Sequence, residues 1–283
     1  MSTAARPEIS LAPAQGWHCA HYFYRWDRAR LGGLNETALA EGQRQFAAAL
    51  DPQAEGGPVR LQTFVVSGHK ADFGLLALDP DPLKISGLHQ RLLAGRLGIA
   101  IQATWSFTSM TEISEYLPTV EQYSERLAAE GHAVDSEPSR SQIIAYQRRL
   151  EMMRRQRLEP DLPIWPAICF YPMNKRRQSG ANWFLLDFAE RQRLMAEHGE
   201  TGMKFSGRVT QLVTGAAGLD DWEWGVTLWA RNPQFLKEIV YRMRFDEASA
   251  RYADFGPFYA GYLRTPSEIL AHCRIPPDAN RLD

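Results

Sequence analysis

Hydrophobic and polar positions along this chain fall into blocks that read strand, helix, strand, strand, helix, strand, and that order occurs twice. In the first half, residues 17–26 are aromatic and strand-like. Residues 35–50 read as a helix, with Asn35 as its cap and Leu39, Phe46 and Leu50 along one side. Two short apolar runs, 61–67 and 72–78, flank Gly68-His69-Lys70-Ala71, a hairpin signal. Residues 82–98 read as a second helix and 99–108 as a closing strand. The second half repeats the order. Residues 167–173 form a strand. A helix over 187–198 opens on Asp187 with Glu190 three residues later, a capping-box pattern, and Gly199 and Gly202 mark its end. Strands 207–214 and 222–230 surround Gly215-Ala216-Ala217-Gly218. A helix over 233–243 carries Pro233 in its first turn, and 257–263 closes the half.

The order βαββαβ, found twice, predicts an α+β chain of two ferredoxin-like halves, each an antiparallel sheet with helices on one face. Joined, the two sheets make a dimeric α+β barrel within one chain. The expected division is an N-terminal half over 1–117, a helical charged connector over 118–165 and a C-terminal half over 166–283. The connector contains an arginine-laden helix over 142–158, with Arg148, Arg149, Arg154, Arg155 and Arg157. It reads as a solvated helix, although an arginine near its end is able to reach a carboxylated ligand through its guanidinium fork.

Composition narrows the function classes. Lys and Arg total 32 against 33 Asp and Glu, so no global field attracts nucleic acid or an acidic membrane. The three cysteines, Cys19, Cys169 and Cys273, are far apart and lack metal-ligand spacing, which argues against a disulfide framework or a zinc site. Residues 1–16 lack a basic start followed by an apolar block, and no apolar run approaches the roughly 18 residues of a membrane span. The expectation is a soluble, cytoplasmic protein without a membrane span.

Four residue types stand out as candidate chemistry. His198 shares a helical stripe with Leu194 and Met195, so it points toward apolar packing. Such an imidazole is either a packed core residue or the proximal ligand of a haem iron. No other histidine forms a pair at ligand spacing. Tyr171 and Lys175 lie four residues apart and share a face if the strand stays extended through Pro172. A buried tyrosine is either a structural hydrogen-bonder or a redox-active phenol. Gln211 sits alone among apolar strand residues and faces either solvent or a ligand. Asp220 and Asp221 are adjacent and point apart, which weakens a paired-carboxylate reading. No G-x-S-x-G, P-loop or G-x-G-x-x-G occurs.

These residues lie within a run of motifs: Cys169-Phe170-Tyr171-Pro172-Met173, Lys175-Arg176-Arg177, Asn182-Trp183, His198-Gly199, Gly207-Arg208-Val209, Asp220-Asp221-Trp222-Glu223-Trp224-Gly225-Val226-Thr227-Leu228 and Met243-Arg244-Phe245-Asp246-Glu247. Together they resemble the chlorite dismutase superfamily, and specifically its coproheme decarboxylase branch. The likeness is dense over 168–261 and looser over 17–117, and the segment 120–154 is longer than usual in the family. The resemblance implies two ferredoxin-like halves, a homo-oligomeric ring of five, and iron coproporphyrin III as both substrate and redox centre. It implies hydrogen peroxide as oxidant and haem b as product, through loss of carbon dioxide from propionates 2 and 4.

By the same resemblance His198 is the proximal iron ligand, and Tyr171 is oxidised to a radical that takes hydrogen from a propionate. Lys175 assists at a propionate. Arg157, Tyr171, Pro172, Met173, Asn174, Lys175 and Ser249 hold propionates, Trp183 lies in the porphyrin site, and Gln211 lies over the distal face. Chlorite-decomposing members carry arginine where this chain places Gln211, and a neutral amide attracts an oxyanion less than a guanidinium does. A haem carrier or sensor on the same scaffold and a chlorite-decomposing enzyme are the rival readings.

Overall fold

The computed structural model describes residues 9–133 and 136–275. The expectation of no leader rests on residues 1–16, of which 1–8 lie outside the described residues. In chain order the strands are β1 (His18–Trp26), β2 (Arg60–Val66), β3 (Phe73–Asp79), β4 (Ile101–Thr111), β5 (Ala167–Lys175), β6 (Arg177–Gln178), β7 (Ala181–Asn182), β8 (Val209–Gly215), β9 (Trp224–Ala230), β10 (Ala253–Phe255) and β11 (Tyr259–Leu263). The helices are α1 (Arg28–Gly32), α2 (Glu36–Ala49), α3 (Pro82–Ala94), α4 (Val120–Ala129), α5 (Glu137–Leu158), α6 (Phe188–Met203), α7 (Pro233–Met243), α8 (Glu247–Tyr252) and α9 (Pro266–His272).

The first half pairs its strands in the order β2-β3-β1-β4 and the second in the equivalent order β8-β9-β5-β11. Both are antiparallel throughout. The halves join at two seams: Met110 and Thr111 of β4 pair with Gly215 and Thr214 of β8, and β11 pairs with β2 through Gly261 and Val66. The two seams close the sheet into a barrel and leave no free edge among the eight long strands. Strand β10 pairs with the far end of β5, beyond β11.

Alternation along the strands divides the core. Phe23, Phe64, Phe107, Phe170, Leu212, Trp229 and Tyr259 point into the barrel and fill it. On the outer face of the first half, Tyr24, Trp26 and Phe73 pack beneath helix residues Phe46, Ile85, Leu88 and Leu92, and Ile269 of α9 closes this layer. On the outer face of the second half, Cys169, Tyr171, Val226 and Leu228 pack with Leu236, Ile239 and Met243 of α7. The connector forms α4 and α5, held together by a Tyr123–Tyr146 stack at 4.1 Å and by the Tyr146 hydroxyl donating to the Pro118 carbonyl at 2.6 Å. The cysteines are free and buried. Among the described residues no helix is long and apolar enough to cross a membrane.

Four local expectations need correction. The helix expected over 82–98 ends at Ala94, because the chain turns so tightly at Gly98 that a side chain there would meet the Leu93 backbone. Strand β4 runs on to Thr111, since its last two residues form the seam with β8. Helix α6 does not stop at His198 but continues to Met203. Its Gly202 serves packing, not termination: a Cβ there would lie 3.0 Å from the Met243 side chain of α7. Asp187 does accept from the Glu190 N–H at 2.8 Å, but the Glu190 carboxylate turns to Arg193 and leaves the capping box half made.

Candidate functional site

A cavity of about 770 Å³ opens between the outer face of β5, β8 and β9 and helices α6, α7 and α8. The end of β4, the loop after it and the last turn of α5 complete its wall. Its volume lies within the range of sites for compact organic ligands. Because β5 stays extended, Tyr171, Met173 and Lys175 all face the cavity. Pro172 and Asn174, on the alternate face, do not line it. Pro172 packs against Gly256, and the Asn174 side chain accepts from the Glu223 N–H at 2.7 Å.

The Tyr171 ring stacks on Phe258 at 4.5 Å and meets Phe255 edge-on at 5.8 Å. Burial pushes its phenol above the ordinary value of 10.0. The Cys169 thiol adds to the rise and Arg244 partly offsets it, so the hydroxyl keeps its proton. The Lys175 ammonium lies 3.8 Å from the centre of the Trp183 ring and 3.5 Å from the Ala248 carbonyl. Burial lowers its pKa to about 8, against the pull of the Asp246 carboxylate. Trp183 is buried and packs edge-on to Tyr252. Arg157 lines the cavity from the end of α5, and burial lowers its pKa from the usual value.

His198 faces the cavity from α6, and its Nδ1 lies 2.9 Å from the Asp246 carboxylate. Burial raises the Asp246 pKa, but hydrogen bonds from His198 and Ser249 and the histidine's charge outweigh it, so this carboxyl sits below the ordinary Asp range. An ionised carboxylate only accepts, so Nδ1 carries the hydrogen, and Nε2 is the nitrogen that faces a ligand in the cavity. A carboxylate behind an imidazole is the arrangement that orients metal-binding histidines. Ser249 caps this pair: its N–H donates to Asp246 at 2.9 Å and its hydroxyl lies 3.4 Å from Nδ1. Gln211 lines the cavity from β8.

Of the residues picked from sequence, the fold brings Arg157, Tyr171, Met173, Lys175, Trp183, His198, Gln211 and Ser249 to one cavity. Sequence reasoning missed the role of Asp246. Its spacing to Ser249 is a helix-cap signal, which the fold uses, but nothing local points to His198 48 positions away. It also missed Arg191, Tyr116 and Glu115, which meet at the cavity rim. The donor set fits an iron porphyrin with acid side arms. The imidazole Nε2 is not taken up by Asp246, Met173, Val213, Val226 and Val240 offer apolar walls, and Lys175, Arg157 and Arg191 supply cations for carboxylates.

Comparison with known proteins identifies the family. A family model described as chlorite dismutase matches residues 36–264. The coproheme decarboxylase of Staphylococcus carnosus is 36% identical over 260 residues, spanning 90% of this chain and 94% of that protein. A solved structure of a heme-binding protein from Thermus thermophilus superposes with a TM-score of 0.74 at 33% identity, over 92% of this chain and 97% of that one. A variant chlorite dismutase from Candidatus Nitrospira defluvii superposes with a TM-score of 0.68 at 16% identity, over 92% of this chain and 96% of that one, a likeness of fold alone.

Proposed function

Since the chain belongs to the chlorite dismutase family, we propose that it is an oxidative decarboxylase of haem biosynthesis: it converts propionates 2 and 4 of iron coproporphyrin III to vinyl groups, with hydrogen peroxide as oxidant and haem b as product. The observation that carries this reading is the placing of Tyr171 and Lys175 on one strand face of the cavity that also receives His198.

The iron porphyrin, when bound, supplies the redox centre and the acid arms that react. His198 would hold the iron through Nε2, with Asp246 keeping the ring in the required tautomer. Lys175 and Arg157 hold propionates as cationic partners. Tyr171 releases its phenolic proton and one electron, then takes a hydrogen atom from the propionate carbon next to the ring. The carboxylate leaves as carbon dioxide, the second electron passes to the oxidant and a vinyl group remains. For each arm, one carboxylate, one peroxide and one proton become one vinyl group, one carbon dioxide and two waters. The neutral amide of Gln211 favours this chemistry over chlorite decomposition, where a guanidinium at that position serves an oxyanion better.

Mass spectrometry of the purified chain with iron coproporphyrin and peroxide tests the reading. A three-propionate species followed by haem b is expected, and an unchanged porphyrin mass overturns the reaction. The Thermus thermophilus relative, named for heme binding, supports a second reading as a haem carrier. A carrier binds haem b at least as tightly as iron coproporphyrin and shows no peroxide-driven mass change. The assembly is read as a cytoplasmic homo-oligomeric ring of five, which native mass spectrometry checks by subunit count.

A further inference from the structure

The chain has eight methionines, and Met110, Met173, Met195 and Met243 all line the cavity beside Tyr171. A thioether fills irregular apolar space, but with cysteine it is also the side chain that most readily takes oxygen from a peroxide. The four divide into two pairs, and Met110 and Met173 stand on the sheet. Met110 of β4 pairs with Gly215, Gly215 with Trp224, and Trp224 with Met173, so both lie in one row across β4, β8, β9 and β5. Gly215 puts no side chain into that row, and the Glu112 carboxylate covers it while accepting from the Trp224 indole at 3.3 Å. Tyr171 occupies the cavity-facing position of β5 before Met173, and Lys175 the one after it.

Met195 and Met243 stand on the helices. Met195 lies three positions before His198, on the same face of α6. Met243 of α7 closes on Gly202, four positions after His198, where a Cβ would lie 3.0 Å from its methyl carbon. This pair therefore flanks the imidazole, one helical turn to either side. A flat group bound at Nε2 has Met195 and Met243 on its imidazole side. It has Met110 and Met173 on the opposite, sheet side, where Gln211 also stands. Peroxide reaches a bound iron from the side that the imidazole leaves open. The sheet pair thus meets any oxidant produced there, and the macrocycle screens the helix pair.

We propose that Met110 and Met173 are oxygen-acceptor sites that take the oxygen of surplus hydrogen peroxide and so spare Tyr171 and the macrocycle. The proposal rests on the reading of the cavity as an iron porphyrin site. Once both arms are vinyl groups, Tyr171 has no propionate hydrogen to take, and further peroxide has no productive partner. In the acceptor step a sulfur lone pair bonds to one peroxide oxygen, the O–O bond breaks, and the other oxygen leaves as water with both hydrogens. One thioether and one peroxide give one sulfoxide and one water, and the sulfur is oxidised by two electrons. The transfer leaves the bound iron in its starting state. A sulfoxide at Met173 adds a polar acceptor beside Lys175, and enzymatic reduction of the sulfoxide restores the thioether.

Peptide-resolved mass spectrometry of the purified full chain tests the sites, with haem b bound and hydrogen peroxide added in single equivalents. Met110 and Met173 are expected to gain one oxygen atom each ahead of Met152 and Met203, although those two are 59% and 65% exposed. Met195 and Met243 stay unmodified until the macrocycle is lost. The zinc complex of the same porphyrin fills the cavity without redox chemistry. With it in the dark, or with the chain alone, Met152 and Met203 gain oxygen first. Leucine conserves the volume of methionine, so Met110→Leu and Met173→Leu keep the packing. The double variant should lose its haem absorbance after two fewer peroxide equivalents than the unaltered chain, and each single variant after one fewer. Prior oxidation of Met152 and Met203 in the haem-loaded chain, one pattern for zinc and iron, or an unchanged bleaching threshold in the double variant overturns the proposal. A chain that binds no iron porphyrin overturns the underlying reading instead.

Discussion

Phe46 stands in the N-terminal half where His198 stands in the C-terminal half. Each lies eleven positions beyond the capping residue of its helix, Asn35 for α2 and Asp187 for α6. The nine-residue strands β1 and β5 likewise match Tyr22 to Tyr171 and Trp26 to Lys175, and β3 and β9 match Phe73 to Trp224. Phe46 packs against Trp26 at 5.6 Å and against Phe73 at 5.5 Å, and it is 2% exposed. One half of the barrel thus fills with aromatic rings the space that the other half keeps open. Packing thus confines the cavity to the outer face of the second half's sheet, although the two halves share one topology.

Phe46→Ala should therefore cost stability without creating a second site. Truncating a buried phenylalanine costs about 3–5 kcal/mol, readable by urea denaturation. Porphyrin titration should still saturate at a single equivalent per chain. A second equivalent bound by the variant contradicts the plugged-site account.

Tyr171→Phe should keep porphyrin binding and lose turnover. The ring is held by Phe258 and Phe255 through its faces and edge, contacts that phenylalanine preserves. Only the hydroxyl, the proposed source of the proton and electron, is removed. Parallel titration and mass-resolved turnover check both halves of the expectation. Full turnover in the variant removes Tyr171 from the chemistry.

The His198–Asp246 hydrogen bond predicts a graded pair of variants. Asp246→Ala removes the carboxylate behind the imidazole, and losing such a partner typically costs about 10–100-fold in metal-site affinity. It also removes the cap of α8, worth about 1 kcal/mol. Asp246→Asn retains a cap and an acceptor at the same place, so it should recover the stability and only part of the affinity. Equal affinity in all three chains contradicts the orienting role.

Much of this fold is legible in the sequence because its signals are local. Short apolar runs in β2, β3, β8 and β9 and turn residues between them predict the hairpins, and Asn35 and Pro233 mark helix starts that the structure uses. What escapes local reading depends on distant partners. Gly199 and Gly202 look like stops, yet α6 runs through both, and at Gly202 α7 packs closely against it. Pro172 and Asn174 belong to a motif beside Tyr171, but strand alternation turns their side chains from the cavity. Arg191 looks like one more solvated helix charge until the loop carrying Tyr116, 75 positions earlier, folds onto it.

The pH dependence follows from Lys175, whose folded pKa falls from 10.5 to about 8 through burial. The groups around it are the Asp246 carboxylate, which favours its charge, the Trp183 face, and Glu223, which accepts from its backbone N–H at 2.9 Å. Between these two pKa values the unfolded chain binds a proton that the folded chain has released. Stability attributable to this residue therefore rises as pH climbs from about 8 toward 10.5. Binding of a carboxylated ligand moves the opposite way. The ammonium form pairs with a propionate, so affinity for iron coproporphyrin should fall as pH passes about 8. The bound carboxylate in turn should carry the turnover limb to higher pH than the binding limb, because an opposite charge favours the protonated lysine. Lys175→Met should flatten both profiles in this window. A variant that titrates like the unaltered chain in both measurements assigns the ionisation to another group.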